Sequence, residues 1–254
     1  MIDVTDWVRL LIVCVVFTAT AGAIAWFAGL TKPMPFLGAA ARAVVQLAAV
    51  SAVITFVLQH LGLTGLFLAL MAIVATATSA RRAQTGWKGT WVAVAILIGS
   101  VPSLGLLIAI GLLPIKGIAL IPVGGILIGG AMTATTLSTR RALDTLRDRH
   151  GEYEAALALG FLESQAARFL IRQPSAEALL PALDQTRTVG LVTLPGAFVG
   201  MLLGGAPVWQ AGALQLVVLL ALLAVEVAAV AAVVELVARG LIRRASQGSE
   251  VRLT

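Results

Sequence analysis

The sequence predicts an all-α, polytopic transmembrane bundle of about seven spans, with the N-terminus outside and the C-terminus inside. Three observations predict it. The 254 residues are 59% hydrophobic and only 12% charged, about half the charge of an ordinary soluble domain, and mean hydropathy is +1.00. Apolar stretches of about 20 residues, enough to cross roughly 30 Å of hydrocarbon, recur along the chain. Lys and Arg gather between those stretches.

The first stretch is 7–29. Asp3 and Asp6 precede it, whereas a cleavable signal begins with basic residues, so a retained helix is expected. Cys14 stands alone in it, which excludes an intrachain disulfide and a cysteine metal cluster and predicts a small buried side chain. Spans 36–59 and 61–80 follow, divided only at His60–Leu61. Spans 90–113 and 115–137 are divided only at Pro114, so counts of six or eight stay open. The last two are 184–205 and 209–238. All must be helices, because lipid offers no partner to an open backbone. A bundle of this kind reads as one membrane domain, 1–240, with a polar cytoplasmic tail, 241–254.

The one long loop, 138–183, runs from Ser138-Thr139-Arg140-Arg141 through Arg172-Gln173-Pro174. Within it Tyr153, Ala156, Leu157, Gly160 and Phe161 recur at helical spacing. One or two cytoplasmic helices are expected there, ended or kinked near Pro174 and Pro181.

Orientation follows from the basic residues. With the N-terminus outside, the inner loops and tail hold Lys32, Arg81, Arg82, Lys88, Arg140, Arg141, Arg147, Arg149, Arg168, Arg172, Arg187, Arg239, Arg243, Arg244 and Arg252. Only Arg9 and Lys116 fall outside, and Arg42 lies within a span. Positive residues stay inside, and an odd number of spans fits this division. The net charge of +6 is therefore a topology signal and not a nucleic-acid surface.

Several chemistries are missing. The chain has no Gly-x4-Gly-Lys-Ser/Thr phosphate loop. It has no metal-ligand spacing, since His60 and His150 fall on opposite sides of the membrane. No nucleophile–base set stands out, so the chain is not expected to be an enzyme.

Within the long loop, Glu154-Ala155-Ala156-Leu157-Ala158-Leu159-Gly160 has small residues that let a helix sit deep in a partner's groove, an acid that can pair there, and a glycine that permits a turn. It equally fits an ordinary Ala-rich helix surface. In the sixth span, Gly196, Gly200 and Gly204 recur every fourth residue, a spacing for close helix packing. Pro195 frees a backbone carbonyl in mid-span. Pro122-Val123-Gly124-Gly125 and Gly129-Gly130 mark a similar break in the fifth span. Two Gly/Pro-interrupted spans point to a transport path, with Pro122, Gly125, Met132, Thr193, Pro195 and Gly196 along it. Arg42 and Glu226 are ionisable groups inside spans, both in the cytoplasmic half, where they could pair. Gln46 lies one turn from Arg42, and Gln215 is in the last span. Such groups are expected to face a partner or a water-filled path.

In order, these motifs resemble the FetB-type ABC permeases, a family of bacterial iron exporters and plant proteins linked to aluminium tolerance. The resemblance rests on Ala41-Arg42-Ala43-Val44-Val45-Gln46-Leu47, on Ile121-Pro122-Val123-Gly124-Gly125-Ile126-Leu127-Ile128-Gly129-Gly130-Ala131-Met132, on Leu157-Ala158-Leu159-Gly160 and on Thr188-Val189-Gly190-Leu191-Val192-Thr193-Leu194-Pro195-Gly196. It spans about residues 36–220. The family often has Asn at Gly130 and Met-Met at Ala197-Phe198, so this chain lacks those polar and soft-metal contacts.

The resemblance implies a permease subunit in the cell inner (plasma) membrane, exporting iron, another metal ion or a small solute. It implies a second copy of the permease and a separate cytoplasmic ABC ATPase that carries the ATP and magnesium, with no cofactor in this chain. Glu154, Ala155, Ala156 and Gly160 would touch the ATPase. The alternative is a secondary transporter or channel working alone, which more often places several acids mid-membrane. Here Glu226 is the one acid well inside a span.

Overall fold

Helices follow the apolar stretches closely. The computed structural model describes residues 7–85 and 89–244. Asp3, Asp6, Lys88, Arg252 and the tail 245–254 lie outside the described residues. The chain divides into two compact units, Met1–Gln59 and His60–Thr254.

Unit 1 holds α1 (Trp7–Phe27) and α2 (Met34–Gln59). Gly29, at φ +66, takes the left-handed turn after α1, a conformation that glycine adopts without a Cβ clash. Gly22 of α1 approaches Pro33, where an added Cβ would lie 3.4 Å away. Both helices are apolar on nearly every side, as spans in lipid must be. Cys14, expected to be buried, is exposed, because the hairpin leaves most of α1 without a covering neighbour.

Unit 2 holds α3 (Leu61–Arg82), α4 (Trp91–Ala109), α5 (Gly117–Asp148), α6 (His150–Ala158), α7 (Glu163–Ala176), a 3-10 turn (Glu177–Leu179), α8 (Leu180–Thr188), α9 (Gly196–Leu203) and α10 (Val208–Ala238). Its core is the seam of α5 and α10, closed by α4. Leu127, Ala131 and Ala134 meet Val225, Ala229 and Val233, with Val92, Ala95 and Ile96 beside them. Lipid tails are as apolar as leucine, so this seam is held by close packing and not by water exclusion. Glycines make that approach possible. A Cβ on Gly99 of α4 would lie 2.8 Å from the Val225 carbonyl oxygen. One on Gly124 of α5 would lie 2.7 Å from Leu68 of α3. The hydroxyls of Thr136 on α5 and Ser79 on α3 hydrogen-bond at 2.9 Å, a buried link between spans.

Among the described residues six helices, α1 to α5 and α10, are long and apolar enough to cross a membrane. The seventh expected span, 184–205, is not one helix. It is the end of α8, an irregular stretch at 189–195, and the eight-residue α9. Gly190 turns left-handed at φ +81, and Pro195 lacks the amide that would continue a helix and instead caps α9. The break expected at Pro122 is absent. α5 runs unbroken through it for 32 residues, because Pro122 sits near the N-terminal end of the helix, where few carbonyls lie behind its ring.

The long loop is helical, as expected, but α5 itself carries the chain on to Asp148 before α6 and α7 begin. α7 ends at Ala176, two residues after Pro174, and Pro181 sits in the first turn of α8. Ala166, Ala167, Leu170 and Ile171 of α7 are buried at helical spacing.

Candidate functional site

Two regions carry the residues singled out from sequence. The first is the interior of unit 2 around α10 and the broken segment. Glu226 is buried on α10, with 7% of its surface exposed. Its carboxylate faces α5 at Gly130, where a Cβ would lie 2.7 Å from Oε1. No hydrogen bond or ion pair to that carboxylate is found among the described residues. Gln215, eleven residues earlier on the same face, is also buried, and its Oε1 has no hydrogen-bond partner. An unpaired polar group in a dry interior is costly.

Composition and motif searching missed a further set. The hydroxyls of Thr135, Ser138 and Thr139 on α5 and of Ser175 on α7 are buried without partners. In a helix these side chains usually bond the carbonyl four residues back, as Thr136 does to Met132 at 2.7 Å. Small polar residues every three to four positions on one α5 face were the available signal.

The other path candidates separate. Gly125 packs on Met71, 2.9 Å from an added Cβ. Pro122 is exposed, and Met132 is half-buried. Thr193 is exposed in the irregular stretch, beside Leu191, which is 89% exposed. Pro195 is half-buried, and Gly196 is exposed at the start of α9. Arg42 and Gln46 are exposed on α2 of unit 1. No atom lies within 4 Å of a Cβ on Gly196 or Gly200, and Gly204 meets only its own helix. The small face of α9 is therefore open within the chain. A groove of about 890 Å³ between α3, α4 and α5 is apolar. Its Thr76 and Ser100 hydroxyls bond back to their own helices.

The second region is the α6–α7 corner. α6 buries no residue. Glu154 and Ala155 are exposed, and Ala156 is half-buried. Glu154 pairs with His150 at 3.4 Å, one turn back. Arg149 hydrogen-bonds Glu152 and holds that carboxyl below the usual carboxylate range. Gly160, at φ +91, ends α6. The Gly160 amide donates to the Leu157 carbonyl and the Phe161 amide to that of Ala156, the paired hydrogen bonds of a glycine-terminated helix. No atom lies near its Cβ position, so backbone conformation alone demands glycine. Around this turn Leu159 (80% exposed), Leu162 (65%) and Phe169 (74%) stand clear of the protein.

The family model described as "Uncharacterised protein family (UPF0014)" matches residues 7–242. The chain belongs to UPF0014. It is a multi-pass membrane protein of that family, and its relatives include a permease. The rice "UPF0014 membrane protein STAR2" is 36% identical over 72% of this chain and 65% of its own length. "Protein ALUMINUM SENSITIVE 3" of Arabidopsis thaliana is 34% identical over 70% of this chain and 66% of its own. "Probable iron export permease protein FetB" of Escherichia coli is 33% identical over 44% of this chain and 43% of its own. The chain thus spans just under two thirds of the plant relatives' length. No solved structure matches it. Among the described residues no three His, Cys, Asp or Glu side chains group as a metal site.

Proposed function

We propose that this UPF0014 chain is the membrane-spanning permease subunit of an ATP-driven ABC transporter that exports iron, another metal ion or a small solute. Two copies would work with a separate cytoplasmic ATPase that binds ATP and magnesium, in the inner (plasma) membrane. The N-terminus is outside and the α6–α7 corner inside.

The α6–α7 corner carries this reading. Leu159 and Leu162 flank the Gly160 turn and are exposed, and Phe169 is exposed further along α7, all on a polar, basic segment. Large exposed apolar residues at such a corner favour a protein contact. Glu154, Ala155, Ala156 and Gly160 lie on or beside it, which suits a short helix seated in an ATPase groove. α7 connects the corner to the core through Leu170 and Ile171 and through the Arg168–Glu235 ion pair of 2.8 Å to α10. Movement of the corner would therefore reach α10 and its buried Glu226.

The broken segment supports the transport half. Irregular backbone at membrane depth survives only where protein covers it or where it lines a water-filled cavity. The stretch 189–195 has exposed neighbours and an open glycine face beside it, so a second copy or the path itself would cover it. Thr193, Pro195 and Gly196 would then meet the cargo's route, with Gln215 and Glu226 as its polar groups. Gly200 and Gly204 would pack across copies.

The test is reconstitution of the chain with its ATPase in proteoliposomes, with export of iron, other metals and organic solutes measured. Ala156→Trp should leave ATP hydrolysis intact and reduce coupled export at least tenfold. Export without any ATP-hydrolysing subunit, or normal export by Ala156→Trp, would refute the reading.

A further inference from the structure

At one end of unit 2, α3, α5 and the chain after α10 turn from apolar to basic at a common level. Their ends enclose a pocket of about 210 Å³ lined by Arg82, Gln84, Arg140, Asp144, Arg147 and Arg244. That is roughly seven water-sized volumes at about 30 Å³ each. The pocket lies apart from the α6–α7 corner and from the Glu226 region.

Its charges do not cancel. Arg244 donates through Nη2 to Asp144 Oδ1 at 2.7 Å. Arg147 donates through Nε to Asp148 Oδ1 at 2.9 Å. Arg82 and Arg140 have no ion-pair partner among the described residues. Four guanidinium groups thus face two carboxylates. The Arg244 side chain is only 16% exposed, and its Nε is buried with no acceptor among the described residues. A buried cationic donor left without an acceptor is costly, and such groups are rare in folded proteins.

The pocket wall carries a second irregularity. Gln84 is the only non-glycine residue with positive φ among the described residues, at +56. Its amide donates to Arg81, and that of Thr85 donates to Ala80, so it occupies the left-handed position of a helix end where glycine is usual. Here an amide side chain stands at the pocket mouth at a cost in backbone energy.

We propose that this pocket binds a phosphate-bearing anion, either the headgroup of an anionic phospholipid or a free phosphate, between Arg82, Arg140 and Arg244. Guanidinium groups match phosphate oxygens in pairs, and such an anion supplies the acceptor that Arg244 Nε lacks. The level of the pocket suits a headgroup. Arg140 follows the last apolar residue of the α5 span, Leu137, by about 4.5 Å of helix rise. Basic pockets between spans at the cytoplasmic surface have the chemistry for anionic lipid. Bound there, the anion would join α3, α5 and the segment after α10, and so would set the stability of unit 2 by lipid composition.

The test uses the full chain in phosphatidylcholine nanodiscs with and without phosphatidylglycerol, read by native mass spectrometry and thermal unfolding. Phosphatidylglycerol should bind and raise the midpoint. R82Q/R140Q should weaken binding about thirtyfold, since each cationic side chain near an anionic surface contributes roughly a factor of five. Both residues are exposed, so folding should survive, and R140Q alone should weaken binding about fivefold. R82K/R140K, which keeps the charges and loses the paired geometry, should weaken binding less than R82Q/R140Q, and R187Q, outside the pocket, should not weaken it. If inorganic phosphate or pyrophosphate in pure phosphatidylcholine produces the same Arg82- and Arg140-dependent shift, the ligand is the free anion. If neither probe gives a shift that R82Q/R140Q diminishes, the proposal is wrong.

Discussion

Gly99→Ala adds one methyl group to the α4–α10 seam, and the structure sets its cost. The new carbon would lie 2.8 Å from the Val225 carbonyl oxygen, 2.9 Å from its Cα and 3.2 Å from the Ala228 Cβ. Two of those atoms are backbone, so no side chain can rotate away. The helices must part by roughly 0.5–1 Å to reach ordinary contact near 3.5–4.0 Å, and such a gap forfeits a quarter to a half of each lost contact. Overpacking of this kind costs about 1–3 kcal/mol. Alanine returns up to about 1 kcal/mol of helix propensity. The net expectation is a loss of up to about 2 kcal/mol. Gly105 on the same helix has no atom within 4 Å of its Cβ position, so Gly105→Ala should keep the propensity gain. The two variants should differ by about 1–3 kcal/mol, or roughly 2–12 °C in midpoint for a unit of this size. Thermal unfolding of both in one detergent, followed by tryptophan fluorescence, measures it. A Gly99→Ala midpoint at or above that of Gly105→Ala would refute the close-packed seam.

Two further outcomes follow from the site and the topology. Glu226→Met keeps the volume and removes a buried carboxyl that has no partner in unit 2. It should raise stability by about 1–3 kcal/mol while abolishing export, whereas a midpoint lowered by several degrees would make Glu226 a structural group. In a Cys14→Ala background, impermeant maleimide applied to intact cells should label Lys116→Cys and should label Gln173→Cys only after permeabilisation, and the reverse pattern would overturn the orientation.

Length and hydropathy located the long helices because lipid imposes one rule on every span. His60 and Pro114 were enough to divide neighbouring pairs, and the observed helices α2 and α3 meet at His60. The sequence could not show which glycines pack. Gly196, Gly200 and Gly204 have the ideal four-residue spacing, yet no neighbour in the chain fills that face. Gly99 and Gly130 follow no such pattern and lie against α10. Spacing describes one helix, whereas packing depends on where the next helix passes. Pro122 and Pro195 make the same point. Both follow apolar residues, but Pro122 sits early in α5 and is absorbed, while Pro195 follows the left-handed Gly190 and begins a new helix. The buried hydroxyls of Thr135, Ser138, Thr139 and Ser175 were hidden for a related reason, since α7 had to fold back on α5 before they became a group.

Six long helices alone would return the chain to the side on which it began, against the division of Lys and Arg. A further crossing, if the chain makes one, would have to lie in the segment between α7 and α10. Arg168 of α7 meets Glu235 near the end of α10. Phe198 of α9 approaches Gly212 near its start, 3.9 Å from an added Cβ. Those two levels on α10 are 23 residues apart, or about 35 Å at about 1.5 Å per residue, which exceeds the roughly 30 Å of a hydrocarbon core. The chain must cover that depth between α7 and α9, and α8 with its nine residues supplies only about 13 Å of helix. Residues 189–193 add little to that distance, because Val189 and Thr193 pair across a tight turn in which the Gly190 amide donates to the Thr193 carbonyl. Had 184–205 been one helix, its backbone would have been satisfied internally and indifferent to its surroundings. Because the helix is broken there, the backbone groups that its turn leaves free need protein or water beside them, and that need is what would suit the segment to line a path.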